Sequence, residues 1–114
     1  HKKKKFLYTS DHNVIKLNSK KEFDNLPLVF SDKESFKAFY YDLVSSNFPL
    51  HIIKSFYFFK SNRWDLITQN NQTIKLPSKN YIKSLENFID IKERDGFKNY
   101  KIFDYRISNQ LILK

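Results

Sequence analysis

Apolar residues recur along this chain with two different periods, and the points where one gives way to the other mark out its elements. Residues 6–10 and 14–17 are apolar-rich runs around the polar Asp11-His12-Asn13, which predicts a hairpin, because Asp and Asn accept the left-handed turn conformation. Leu26-Pro27-Leu28-Val29-Phe30 is a short apolar run. Pro27 lacks a backbone donor, so this run suits an edge strand rather than a central one. Ser31 followed by Glu34 is a capping-box pattern, in which the serine oxygen accepts from a helix-start amide while the glutamate reaches back. Phe36, Phe39, Tyr40, Leu43 and Val44 then fall at i, i+3, i+4, i+7 and i+8, one helical stripe facing a core. Ser45-Ser46-Asn47-Phe48-Pro49 ends that helix.

The period then shortens. Residues 52–59, 63–68 and 73–76 are dense in β-branched and aromatic residues, separated by the polar turns Lys60-Ser61-Asn62 and Gln69-Asn70-Asn71-Gln72, which predicts a three-stranded meander. Pro77 stops the sheet, Ser78 can cap, and Tyr81, Ile82, Leu85, Phe88 and Ile89 trace a second helical stripe that ends before Gly96, the only glycine. From residue 100 to 107 the chain alternates Phe103, Tyr105 and Ile107 on one face with Ile102, Asp104 and Arg106 on the other. This predicts a strand, followed by a turn at Ser108-Asn109-Gln110 and a last strand at residues 111–113. The expected fold is α+β, a mainly antiparallel sheet with two amphipathic helices on one side.

Composition narrows the function. A chain of 114 residues suits one domain, and with 40% hydrophobic and 18% aromatic residues it can bury enough surface to offset the entropy of folding, which argues against disorder. The absence of cysteine excludes disulfides, zinc-cysteine sites and thiol chemistry. No run of about 18 apolar residues reads as a membrane span. The opening His1-Lys2-Lys3-Lys4-Lys5-Phe6 reads as a chain entered partway, with an upstream anchor cut away and a soluble fragment remaining. A net charge of +9 invites a nucleic-acid reading, but only Arg63, Arg94 and Arg106 of the 21 basic residues carry the guanidinium fork that phosphate and base edges favour. The expectation is therefore no nucleic acid. The open alternative is a single-stranded nucleic-acid platform at residues 56–64, where Phe56, Tyr57, Phe58, Phe59 and Trp64 interleave with Lys60 and Arg63. Because neighbouring strand residues point to opposite faces, at least half of those rings belong to the core.

Candidate chemistry is sparse. His1, His12 and His51 lie in separate loops or termini without ligand spacing, so no metal is expected, and one glycine cannot build a phosphate loop, so no cofactor is expected either. No serine sits in a nucleophile elbow. Asp65, Asp95 and Asp104 become catalytic only if the fold pairs them across a cleft, and their plain reading is surface or turn chemistry. No catalytic residue is nominated, and the chain reads as a binding module rather than an enzyme.

Taken in order, Asn62-Arg63-Trp64-Asp65-Leu66, a polar turn, Thr73-Ile74-Lys75-Leu76-Pro77, a helix from Ser78, and Phe103-Asp104-Tyr105-Arg106-Ile107 resemble the C-terminal half of the FtsQ/DivIB family of bacterial cell-division proteins. That family has an R-[RK]-W-[DN]-L strand, an N-G-type turn, a v-x-L-P strand end, a Leu-rich helix and a final D-L-R-[LY] strand. Leu26-Pro27-Leu28-Val29-Phe30 looks like its L-P-L-V segment, and residues 6–15 look like the hairpin before it. The chain departs at Asn70-Asn71, where Asn-Gly is usual, and at Tyr105, where Leu is usual; Asn tolerates positive φ and Tyr suits an apolar strand position.

The resemblance implies an FtsQ-type β domain over residues 26–114. Residues 1–25 would be a hairpin at the junction with an absent POTRA domain. It further implies a single-pass inner-membrane protein with this domain in the periplasm, a non-catalytic divisome scaffold that binds FtsB and FtsL and so contributes to septum assembly and control of septal peptidoglycan synthesis. FtsB would dock by strand addition to the C-terminal sheet edge. Motif by motif, the expected partner-binding residues are Arg106 and Ile107, then Asn109, Leu111 and Leu113 along the terminal edge, with Arg63 a lesser candidate. Arg106 has the alternative of an internal pair with Asp104, Ile107 that of plain core, and Trp64 reads as core rather than contact.

Overall fold

The computed structural model describes residues 27–114; the hairpin predicted at residues 6–17, Lys2 to Lys5, His1 and His12 lie outside them. Six strands form one sheet in simple sequential order: β1 (Leu28–Phe30), β2 (Ile53–Phe59), β3 (Arg63–Thr68), β4 (Thr73–Lys75), β5 (Ile102–Asp104) and β6 (Ile112–Leu113). Helix α1 (Lys33–Ser45) connects β1 to β2 and α2 (Tyr81–Ile91) connects β4 to β5.

Those two helical crossings correct the expected topology. A turn or short loop returns the chain antiparallel, as at β2/β3, β3/β4 and β5/β6, whereas a helix carries it back along the sheet so that the next strand repeats the direction. β1/β2 and β4/β5 are accordingly parallel, with Val29 opposite Phe56 and Ile74 opposite Phe103. The sheet is mixed rather than mainly antiparallel. As Pro27 implied, β1 is the outermost strand on its side among the described residues.

Both helices cover the same face. Phe36, Phe39 and Leu43 of α1 and Leu85, Phe88 and Ile91 of α2 meet Val29, Phe56, Trp64, Leu66, Ile74, Leu76 and Phe103 of the sheet in one buried cluster. Rings carry much of the contact: Phe39 stacks on Trp64 at 4.4 Å, Phe36 meets Phe56 edge-on at 5.3 Å, and Phe88 meets Phe103 edge-on at 4.9 Å. Such offset and edge-to-face pairs add about 0.5–1.5 kcal/mol beyond the area they bury. Tyr81 joins the helices, its ring 5.1 Å from Phe39 and its hydroxyl donating to the Asp42 carboxylate. Trp64 is core, as expected.

Several local details differ from the sequence pattern. The cap of α1 is Asp32, whose carboxylate accepts from the Ser35 N–H at 2.9 Å, while the Ser31 hydroxyl donates to the Asp32 carbonyl. Asp one residue closer to the helix brings a full negative charge to the positive end of its dipole, where serine brings none. Val44 is 49% exposed, because α1 turns only its 36/39/43 stripe to the sheet. Ser78 does not cap α2; Asn80 precedes it in the left-handed region with no side-chain cap bond. Residues 50–52 form a 3-10 turn, so β2 starts at Ile53. The predicted strand over residues 100–107 shortens to Ile102–Asp104. Tyr105 still donates its N–H to the Lys75 carbonyl and is buried, but Ile107 has left the ladder and is 51% exposed.

Positive-φ turns are made almost without glycine. Asn47, Asn62, Asn71, Asn80 and Asn109 all take φ near +60°, and Asn71 does so in the β3–β4 turn. Asparagine is the non-glycine residue best able to do this, its short amide hydrogen-bonding locally.

Candidate functional site

Register places a row of charges on the sheet face opposite the helices. Asp65 on β3 lies across from Lys75 on β4, and Lys75 across from Asp104 on β5. Asp65 accepts from Arg63 Nη1 at 3.0 Å and from Lys75 Nζ at 3.2 Å. Asp104 accepts from Arg106 three times: the backbone N–H and Nε on Oδ1 at 3.0 and 2.9 Å, and Nη2 on Oδ2 at 2.7 Å. The hydrogen bonds from Arg106, joined by the positive charges of Arg106 and Lys75, outweigh the effect of burial and hold the Asp104 carboxyl below the usual carboxylate range. Asp65 and Asp104 are thus kept apart by Lys75 and serve as ion-pair acceptors. Asp95 lies exposed beyond the end of α2.

Beside this row, a groove of about 710 Å³ opens between the first turns of α2 and the connection from β5 to β6. Arg63, Arg106, Ile107, Asn109 and Leu111 all line it, with Lys79, Lys83 and Asn87 on the α2 side. Five of the six residues nominated from sequence are therefore brought together, although Arg63 comes from a strand more than 40 positions earlier in the chain. Leu113, the sixth, lies on β6 opposite Phe103. The groove floor is held by Tyr105, whose hydroxyl donates to Asn87 at 2.7 Å and whose burial pushes its phenol well above the ordinary value. Arg63 is largely committed internally, donating also to the Leu76 carbonyl at 3.1 Å, whereas Arg106 keeps its outer side open to solvent. Lys79 and Lys83 were not nominated; only the return of the chain from β5 past the start of α2 makes them neighbours of Arg106.

The sheet edge adjoins this groove. Ile102 and Lys114 exchange two backbone hydrogen bonds, both at 3.1 Å. Antiparallel ladders alternate such pairs with pairs that exchange none, so Leu113, opposite Phe103, turns its N–H and C=O away from β5. Among the described residues β6 is the last strand on this side, and that backbone donor and acceptor face outward. An exposed edge of this kind is a template for an added strand.

The aromatic strand is distributed differently from a stacking platform. Phe56 and Trp64 are core, Phe58 leans on Trp64 at 4.8 Å, and Tyr57 stacks on Phe30 at 4.5 Å. Phe59, 40% exposed, lies under the Arg63 guanidinium at 5.0 Å. His51 sits exposed in the 3-10 turn, and among the described residues no group of three or more His, Cys, Asp or Glu is placed to hold a metal. No helix among them is long and apolar enough to cross a membrane. Neither the comparison with family models nor that with curated proteins finds a match for this chain.

Proposed function

We propose that this chain is a non-catalytic protein-binding module, the FtsQ-type β domain of a cell-division protein, which accepts a segment of its partner as an added strand on β6. The observation that carries this reading is the outward-turned backbone of Leu113 beside a groove that gathers Arg63, Arg106, Ile107, Asn109 and Leu111. The motifs behind the family resemblance support it by falling on the elements that the family pattern assigns them. Arg63-Trp64-Asp65-Leu66 lies in β3, Asn71 makes the turn, Leu76-Pro77 ends β4, and Phe103-Asp104 forms β5 ahead of Arg106. On this reading the partner is FtsB, with FtsL recruited alongside it. The whole protein is held by a single-pass inner-membrane anchor, the domain works in the periplasm, and its output is septum assembly and control of septal peptidoglycan synthesis.

Physically, the added strand draws affinity from main-chain hydrogen bonds, while exposed Ile107 and the partly buried Leu111 and Leu113 offer apolar contacts that discriminate among sequences. The test is a titration with a peptide from the membrane-distal periplasmic end of the same organism's FtsB. Leu113→Pro removes the outward N–H without touching a β5–β6 bond, since proline is tolerated where the strand N–H faces solvent. Saturable binding to the native domain, weakened about tenfold or more in Leu113→Pro with the melt little changed, is expected for loss of one main-chain bond and its alignment. Equal binding by the variant contradicts strand addition, and steeply salt-dependent binding of a single-stranded oligonucleotide in its place favours the Phe59–Arg63 surface.

A further inference from the structure

Tyr105 and Asn87 both line the groove, and the one side-chain hydrogen bond that either makes among the described residues is to the other, the Tyr105 hydroxyl donating to Asn87 Oδ1 at 2.7 Å. The Tyr105 ring belongs to the buried cluster, so the group that holds the Asn87 oxygen is itself fixed. Burial also keeps the phenol protonated, and it remains a donor at any ordinary pH.

Packing does not explain the pair. Phenylalanine would fill the same core position without a hydroxyl. Asn87 is exposed midway along α2, where asparagine is a poor helix former because its side chain competes for backbone bonds. What the bond does is choose the orientation of the amide. With Oδ1 engaged, the amide plane is pinned, and both Nδ2 hydrogens are left without an acceptor among the described residues. An untethered asparagine turns either its oxygen or its nitrogen outward; this one presents donors.

The strand edge shows what those donors can serve. β6 is two residues long, so a segment paired with Leu113 soon outruns the main chain that can bond it. Leu111 lines the groove and leads directly into β6, so the outrunning end passes into the groove. There its carbonyl oxygens have no strand opposite them and need a side-chain donor.

Resting on the strand-addition reading, we infer that Asn87 bonds an uncharged main-chain carbonyl of the bound segment just beyond its strand-forming stretch, and that Tyr105 is the positioning residue that aims it.

The test is a double-mutant cycle in which the FtsB-derived peptide is titrated against the native chain, Asn87→Ala, Tyr105→Phe and the two changes combined. Asn87→Ala is expected to weaken binding about fivefold, the loss of one neutral hydrogen bond. Tyr105→Phe should weaken it about two- to threefold, since the amide is no longer held in one orientation. The combined variant should bind no more weakly than Asn87→Ala, because Tyr105 acts through Asn87, whereas a general loosening of the fold would make the two losses add. The Asn87→Ala loss should be the same at ~0.05 and ~0.5 M salt, because neither bonded group is charged. Additive losses overturn the positioning role of Tyr105, and a loss that fades with salt overturns the uncharged carbonyl. Equal binding by Asn87→Ala and the native chain, with Leu113→Pro still weakening it, overturns the whole inference and leaves strand addition standing. Failure of the peptide to bind the native chain overturns both.

Discussion

Replacing Asp104 by Asn tests the charge row from its centre. The carboxylate is 6% exposed and accepts from the Arg106 backbone N–H, Nε and Nη2, with Lys75 opposite. Asparagine can keep one oxygen on the backbone N–H but loses the second acceptor and the charge. A hydrogen bond to a charged group contributes about 1.5–3 kcal/mol. Because the Arg106 side chain is 46% exposed, solvent screens much of the Coulomb part, and the net loss is set at about 1–2 kcal/mol. For a domain of this size that lowers the melting temperature by about 5–15 °C at neutral pH. The pH dependence fixes the cause. Hydrogen bonds from Arg106, with the Arg106 and Lys75 charges, depress the folded-state pKa below the ordinary aspartate value of about 3.9. The stabilisation is therefore complete above that value and disappears as pH falls through the folded pKa, where protonated Asp104 resembles Asn. Melts of both proteins from neutral pH to about 2.5 should show a constant gap down to about pH 5 that then closes. A gap that persists unchanged in acid, or no gap at neutral pH, refutes the ion-pair reasoning.

Phe39→Ala removes the ring that stacks on Trp64 and touches Phe56 and Tyr81, so it should cost about 3–5 kcal/mol in denaturant unfolding followed by Trp64 fluorescence; a cost under about 1 kcal/mol would mean that α1 is not seated as described. Asn62→Ala, at φ 63°, should destabilise by about 1 kcal/mol while Asn62→Gly is near neutral, and equal effects would remove the conformational explanation of that turn.

Much of this architecture was legible because burial imposes a period. The 36/39/43 and 85/88 stripes had to face apolar surface, and the turns at residues 60–62 and 69–72 were marked by Asn. What period cannot carry is direction: a half-buried strand alternates alike whether its neighbour runs parallel or antiparallel, so β1/β2 and β4/β5 depended on where α1 and α2 returned the chain. Ile107 continued the Phe103/Tyr105 alternation on paper, but the turn ending at Asn109 and Gln110 pulls the backbone off the sheet before Ile107 can be covered. Ser31 and Asp32 are adjacent cap-forming residues, and only the helix register chooses between them. Arg106, Ile107, Asn109 and Leu111 are close in sequence, and that is why one strand and its following turn could nominate these residues of the groove lining together. Lys79 and Lys83 join it through the fold alone.

Strand addition makes its most direct claim at a single amide. In the free domain the Leu113 N–H points outward, while the neighbouring Lys114 N–H is bonded to the Ile102 carbonyl. Residue-resolved amide hydrogen exchange should find Leu113 fast and Lys114 slow, and saturating FtsB-derived peptide should slow Leu113 sharply as its amide enters a new ladder. Peptide bound with Leu113 still exchanging freely would place the partner elsewhere and contradict the proposed function.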